Sequence, residues 1–402
     1  MTNIGSMSTE LEEKTVTKVY PTVNNDDLLE FRLSPNKSNL QLSDVMLRFV
    51  VKIEQPNQGN IIPENFLGPK MFSSLEIRVN GDAITRRSCS NEFFLSSYFS
   101  ALTNFSSDYF CTGCSPLGIF DTVQTTTTKI ASSADLKSHL VKSRSGLARD
   151  FVYEIVMPID TSIFRSNDNL PSSTPIDLSF ERASSKFSTL FTADNVESSL
   201  ASNLELEDVY LLVPYVEDKK MKEYEQSAIS RPIVIKYDDY VINRFNIPKD
   251  SPQCRLTNII NGSLPSKLFW GIMNLQSYTG SFEHSSTQFK LSGITKTSIS
   301  VDGKVCPGFP ISTRKNMISV PYTSFLNKTN RYLNAFSGQI ISLTDYRDSH
   351  FIQSASFEEN AVGSITFDFE FESSVTDDFV LITCSVFDKT AEIDHYRNCN
   401  VF

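Results

Sequence analysis

The chain has 402 residues, of which 40% are hydrophobic, and a formal net charge of −10 at pH 7. That length exceeds what one hydrophobic core usually holds and predicts two units of roughly 200 residues each. The acidic balance disfavours an extended phosphate-binding surface, and no apolar run reaches the roughly 18 residues of a membrane-spanning helix.

Residues 1–20 are polar, with Glu10, Glu12 and Glu13, and lack the basic start and apolar centre of a signal peptide. They predict a flexible N-terminal arm on a protein made in the cytosol. The Asn-x-Ser/Thr sites at Asn36, Asn104, Asn261 and Asn327 are then not expected to carry sugar. Strand-like text follows at 28–33 and 45–53. Next comes an alternating segment, Leu75-Glu76-Ile77-Arg78-Val79, closed by Asn80-Gly81 and a return strand through Ile84. Asn-Gly supplies the positive φ of a two-residue hairpin turn. An aromatic stretch at 91–102 predicts a helix capped by Ser90. Periodicity then disappears over 106–146, a long loop, and strands resume at 151–158, 176–180 and 204–216.

A charged, helix-compatible linker spans 217–230. Strands are predicted beyond it at 233–237, 240–247, 267–273 and 287–291. The first device then returns: Ile299-Ser300-Val301-Asp302-Gly303-Lys304-Val305, with Asp-Gly in the turn, is followed by a helix-like segment at 321–336. Residues 364–372 alternate almost perfectly, 380–387 reads as a buried strand, and 391–394 as a last short one. Each half thus offers about eight short strands, one helix and long end loops. We read the fold as all-β: two tandem antiparallel eight-stranded jelly rolls, over 21–216 and 231–402. Thirty Phe and fourteen Tyr against one Trp suit such sheets.

The residues point away from catalysis. His139, His284, His350 and His395 stand apart, with no His-x-His pair for a metal. Seven cysteines are scattered, and Cys111-Thr112-Gly113-Cys114 has no second pair to complete a zinc ribbon. No phosphate-cradling, dinucleotide-binding or nucleophile-elbow motif is present. Asp368, Glu370 and Glu372 share one face of their strand, read as an outward sheet face. The basic run Lys129, Lys137, Lys142, Arg144 and Arg149 lacks interleaved aromatics, so it is read as a solvated flank and not as a nucleic-acid platform. No catalytic, cofactor or metal residue is assigned. The competing reading is a tandem jelly-roll protein that binds or cleaves carbohydrate.

Several segments carry a resemblance. Leu206-Glu207-Asp208-Val209-Tyr210-Leu211-Leu212-Val213, Arg231-Pro232-Ile233, and Gly262-Ser263-Leu264-Pro265-Ser266-Lys267 resemble stretches of the double jelly-roll major capsid proteins of the Maverick/Polinton (adintovirus-like) type. So do Val301-Asp302-Gly303-Lys304 with Pro307 and Pro310, and the tail Glu392-Ile393-Asp394-His395-Tyr396-Arg397-Asn398. The likeness is best from about residue 203 onward. On it, Asn80, Gly81, Pro265, Asp302, Gly303, Ile393, Asp394, Arg397 and Asn398 are signature positions. The resemblance implies a non-enzymatic structural protein of a virion, with homotrimers as pseudo-hexagonal capsomers of an icosahedral shell. The implied partners are neighbouring capsomers and penton or minor capsid proteins, with no sequence-specific nucleic acid. The polar arm would reach one of these neighbours or an internal membrane.

Overall fold

The computed structural model describes residues 14–34, 38–54, 61–64, 66–85, 92–104, 150–170, 174–191, 204–216, 232–282, 284–314, 317–329, 341, 343–358, 360–394 and 399–401. The expected loop 106–146, the linker 217–230, the Cys111–Cys114 pair, the basic run, and Arg397 and Asn398 lie outside these residues.

Of the 23 strands among the described residues, sixteen build the repeated frame of two rolls, and the rest are short strands of two or three residues. In roll 1 the frame strands are β1 (Lys14–Val19), β2 (Leu28–Leu33), β3 (Met46–Glu54), β4 (Phe72–Val79), β5 (Asp82–Ala83), β6 (Asp150–Pro158), β7 (Ile176–Arg182) and β8 (Leu204–Val216). Roll 2 has β9 (Ile233–Ile247), β10 (Gln253–Ser263), β11 (Lys267–Asn274), β12 (Ile294–Val301), β13 (Lys304–Val305), β14 (Gln353–Ser356), β15 (Val362–Phe371) and β16 (Phe379–Ile393). Leaving aside the short strands that pair at their margins, the sheet orders are β1-β8-β3-β6 and β2-β7-β4-β5 in the first, β9-β16-β11-β14 and β10-β15-β12-β13 in the second. The second pair of sheets repeats the first with every strand advanced by eight. All pairings between these strands are antiparallel, and each roll packs two sheets face to face, the double jelly roll.

The cores follow from period-2 alternation. In β3, Leu47, Phe49, Val51 and Ile53 are buried between partly exposed Met46, Arg48, Val50 and Lys52. In β15, Ile365, Phe367, Phe369 and Phe371 point inward, and Phe367 meets Trp270 edge-on at 5.2 Å. Three helices matter here: α1 (Glu92–Asn104), α2 (Ser319–Lys328) and α3 (Leu343–Asp348).

The structure departs from the sequence reading at five places. Lys14–Val19, assigned to the flexible arm, is β1, paired with β8 from Lys14↔Val216 to Val19↔Leu211. Its side chains are almost all exposed, so no buried face marked it as a strand. Residues 253–263, given no strand, form β10; its ladder with β15 shifts register between Leu256 and Ile260, and its polar residues hide the alternation. The two strands expected over 233–247 are one, because Asp238 and Asp239 stay in register with Asp388 and Phe387. Likewise 379–393 is one strand. Residues 287–291 make only isolated bridges, Ile272↔Lys290 and Phe289↔His350.

Candidate functional site

The two rolls meet along a buried seam built mainly by roll 1 segments outside its strands. The segment 63–70 leaves a short strand at Pro63 and turns through a helical loop, bringing Glu64 and Lys70 together. Both side chains are fully removed from solvent, with 2.8 Å between Lys70 Nζ and Glu64 Oε2. Roll 2 completes the shell: the Ser286 amide donates to Glu64 Oε1 at 3.0 Å, its hydroxyl to Oε2 at 3.1 Å, and Lys70 donates to Thr287 Oγ1 at 3.3 Å. A buried ion pair persists only when such further hydrogen bonds satisfy both charges.

Helix α1 carries the next layer. Eleven of its thirteen residues are buried, an all-round burial that its polar serines do not predict. Phe93 packs into roll 1 against Phe72 and Phe180. On the roll 2 side, Tyr98 stacks on Phe289 with centroids 5.9 Å apart, and its hydroxyl lies 2.5 Å from His350 Nδ1. Burial pushes the Tyr98 hydroxyl well above its ordinary value, so it stays protonated. Thr103 and Asn104 reach the Tyr240 hydroxyl on β9 at 3.1 and 3.0 Å.

A third contact is the turn Ser162–Arg165. Arg165 donates to Asp160 Oδ1 at 2.9 Å and to the Asp238 carbonyl at 3.3 Å, and its guanidinium sits 4.2 Å from the Tyr240 ring centroid. Asp238 and Asp388 face each other across β9 and β16. Desolvation, then Asp388, raises the Asp238 carboxyl, while Lys267 and Arg165 oppose the shift. Beside this lies a cavity of about 660 Å³ lined by Glu92, Asp239, Tyr240, Lys389 and Cys399. Among the described residues no group of three His, Cys, Asp or Glu is placed to hold a metal ion. The seam thus joins the rolls through a buried ion pair, hydrogen bonds and stacked rings, while Ser97 Oγ, Asp160 Oδ2 and Ser162 Oγ are buried without a hydrogen-bond partner among the described residues.

The signature positions are not gathered in one place. Asn80-Gly81 joins β4 to β5 with φ of 52° and 92°, and Asp302-Gly303 joins β12 to β13 with φ of 49° and 79°. The two turns hold the same position in their rolls. Asp82, beside the first, accepts from the Cys399 amide at 3.2 Å, touching a C-terminal strand (Cys399–Val401) that pairs with β16. Pro265 is buried in the turn between β10 and β11, and Ile393 is buried at the end of β16 opposite Ile233. Asp394 follows it, half-buried. Of the carboxylates, Asp368 pairs with Arg255 at 3.5 Å and Glu370 with Lys296 at 2.6 Å, an outward face closed by cross-strand ion pairs.

The seam residues Glu64, Lys70, Tyr98, Arg165, Tyr240, Ser286 and His350 carry no sequence signal that links them. Only the charges of Glu64 and Lys70, set within the apolar run Phe66-Leu67-Gly68-Pro69, mark that segment as unusual.

No protein-family model matches the sequence, and no curated protein does. Solved structures do match. A chain of the Sputnik virophage, from a cryo-electron microscopy structure, is similar over 97% of this chain and 88% of its own, with 8% identity and a TM-score of 0.66. The major capsid protein of mavirus matches over 96% and 90%, with 13% identity and a TM-score of 0.58. VP54 of the virus PBCV-1 matches over 97% of both chains, with 11% identity and a TM-score of 0.59. The repeated strand order and these likenesses agree: the chain has the double jelly-roll fold of the major capsid proteins of virophages and giant viruses.

Proposed function

We propose that this protein is a structural major capsid protein of the Maverick/Polinton type, three copies of which close into a pseudo-hexagonal capsomer of an icosahedral shell. One observation carries the reading: the strand order of roll 1 recurs in roll 2, and buried contacts join the two. Three copies of such a pair present six similar modules, the number a hexagonal tile needs. The fold shared with viral major capsid proteins supports the capsid role. The Val301–Lys304 hairpin and the 392–398 tail support the Maverick/Polinton type. On this reading the protein acts without catalysis in the virion. Its partners are neighbouring capsomers and penton or minor capsid proteins, and the residues before β1 reach an adjacent component or an internal membrane. The units would run from β1 to 216 and from 231 onward, joined by 217–230.

Size-exclusion chromatography with light scattering tests it. The expected mass is three times the 45.2 kDa of the chain, with pseudo-hexagonal particles in electron micrographs. A monomer at micromolar concentration would overturn the capsomer and favour the carbohydrate reading.

A further inference from the structure

Among the described residues His350 is a buried histidine, 2% exposed, while His284 is half-buried. His350 lies just beyond α3, where main-chain bonds fix the chain on both sides of it. The Phe289 amide donates to the Ser349 carbonyl at 2.8 Å, and the Phe351 amide donates to the Phe289 carbonyl at 3.0 Å. The ring faces roll 1, with Nδ1 2.5 Å from the Tyr98 hydroxyl of α1.

That contact fixes where the protons sit. Burial keeps Tyr98 protonated, and among the described residues its hydroxyl makes no other hydrogen bond. A buried hydroxyl places its proton on an acceptor. Tyr98 therefore donates to Nδ1, and the imidazole is neutral with its own proton on Nε2. A second proton, on Nδ1, would set two donors face to face. The hydroxyl would have to turn and accept, and its proton would then point among Phe66, Phe99 and Phe289, whose rings pack around Tyr98. A new charge would also be buried there, at a cost.

The charged groups on the packed elements do not offset that cost. Glu64, on the segment that brings Phe66, is already paired with Lys70. Lys290, beside Phe289, is a half-buried cation, and His284 opens the same segment. Arg347 and Asp348 of α3 are exposed and pair with each other. On α1 the carboxylate is Glu92, six residues before Tyr98.

We infer that the Tyr98–His350 contact is an acid-sensitive joint between the two rolls, which loosens as the pH falls below the ordinary histidine range, about 6.5. The unfolded chain takes up this proton readily while the folded one resists it. The stability the contact contributes is thus complete above that pH and is lost below it. The Asp238–Asp388 pair acts with the opposite sign, since acid relieves it. The joint is a property of the fold and holds whether or not the protein builds a shell.

Melting curves of the full chain between pH values of about 8 and about 5.5, above the isoelectric point of 5.1, test this. His350→Gln keeps an acceptor for Tyr98 but does not titrate, and His284→Gln is the control. The wild type and the control are expected to lose several degrees more on acidification than His350→Gln. Parallel profiles for all three would overturn the joint. Should His350→Gln not fold, hydrogen-exchange mass spectrometry of the wild type decides. After correction for intrinsic rates, residues 92–104 and 284–291 should exchange at least about tenfold faster at the lower pH, while β3 and β15 keep their protection. Protection lost evenly, or not at all, would overturn the inference.

Discussion

The Glu64 carboxylate and the Lys70 ammonium lie 2.8 Å apart with neither reachable by solvent, and the groups that complete their shell belong to the other roll. An ion pair in such a place adds little net stability over apolar residues of equal size, but it disfavours every buried arrangement that leaves either charge without the groups Ser286 and Thr287 supply.

Removing one partner should therefore be much worse than removing both. Glu64→Leu or Lys70→Met alone is expected to cost about 3–5 kcal/mol, because the remaining charge stays buried and unpaired. The double variant should recover most of that loss. Guanidinium denaturation of the four proteins gives the coupling directly, and an additive double variant would show that the pair is not coupled.

Glycine positions separate close packing from backbone strain. A Cβ on Gly271 would lie 2.5 Å from Phe289 Cδ1 and 3.0 Å from the Phe351 carbonyl oxygen. Gly271→Ala is expected to cost about 1–3 kcal/mol and to disturb the Phe289–Tyr98 stack. It should also alter the emission of Trp270, the adjacent and only tryptophan. Gly303→Ala meets no neighbouring atom and is strained only by its φ of +79°. Its cost should stay near about 1 kcal/mol, with Trp270 emission unchanged.

The facing pair Asp238 and Asp388 gives a pH signature. The folded protein holds the Asp238 carboxyl above its ordinary value, so ionising it costs more in the folded than in the unfolded chain. That cost is present above the raised value and fades as pH falls toward the ordinary 3.8. Asp238→Asn should thus stabilise the fold at neutral pH, by less than about 1 kcal/mol given solvent screening and the scale of facing like charges. The gain should shrink on acidification. Melting curves at several pH values check the sign, and a gain that grows toward acid would contradict it.

Truncation tests the reassigned first strand. Deleting residues 1–19 strips β8 of its ladder from Leu211 to Val216 and removes Lys18 from its place 4.4 Å from the Tyr210 ring centroid. The product is expected to melt several degrees lower than one truncated after residue 13. Equal melting points would mean that β1 contributes nothing to roll 1.

Local chemistry made much of this fold legible. Asn80-Gly81 and Asp302-Gly303 announced two hairpins, and both occupy the same corner of their rolls because a type I′ turn needs those residues wherever it falls. Alternation located β3 and β15, since one buried face leaves a period of two. β1 and β10 escaped for the converse reason: strands without a continuous buried face have no period to read.

The sequence by itself determined that the chain is two β modules of one plan, because turn chemistry and alternation act over a few residues. Only the tertiary structure decided how the modules join. Glu64 meets Ser286, Tyr98 meets His350, and α1 is buried on all sides while α2 is not. Those contacts link residues hundreds apart in the chain, and no local periodicity records which distant surface will cover a side chain.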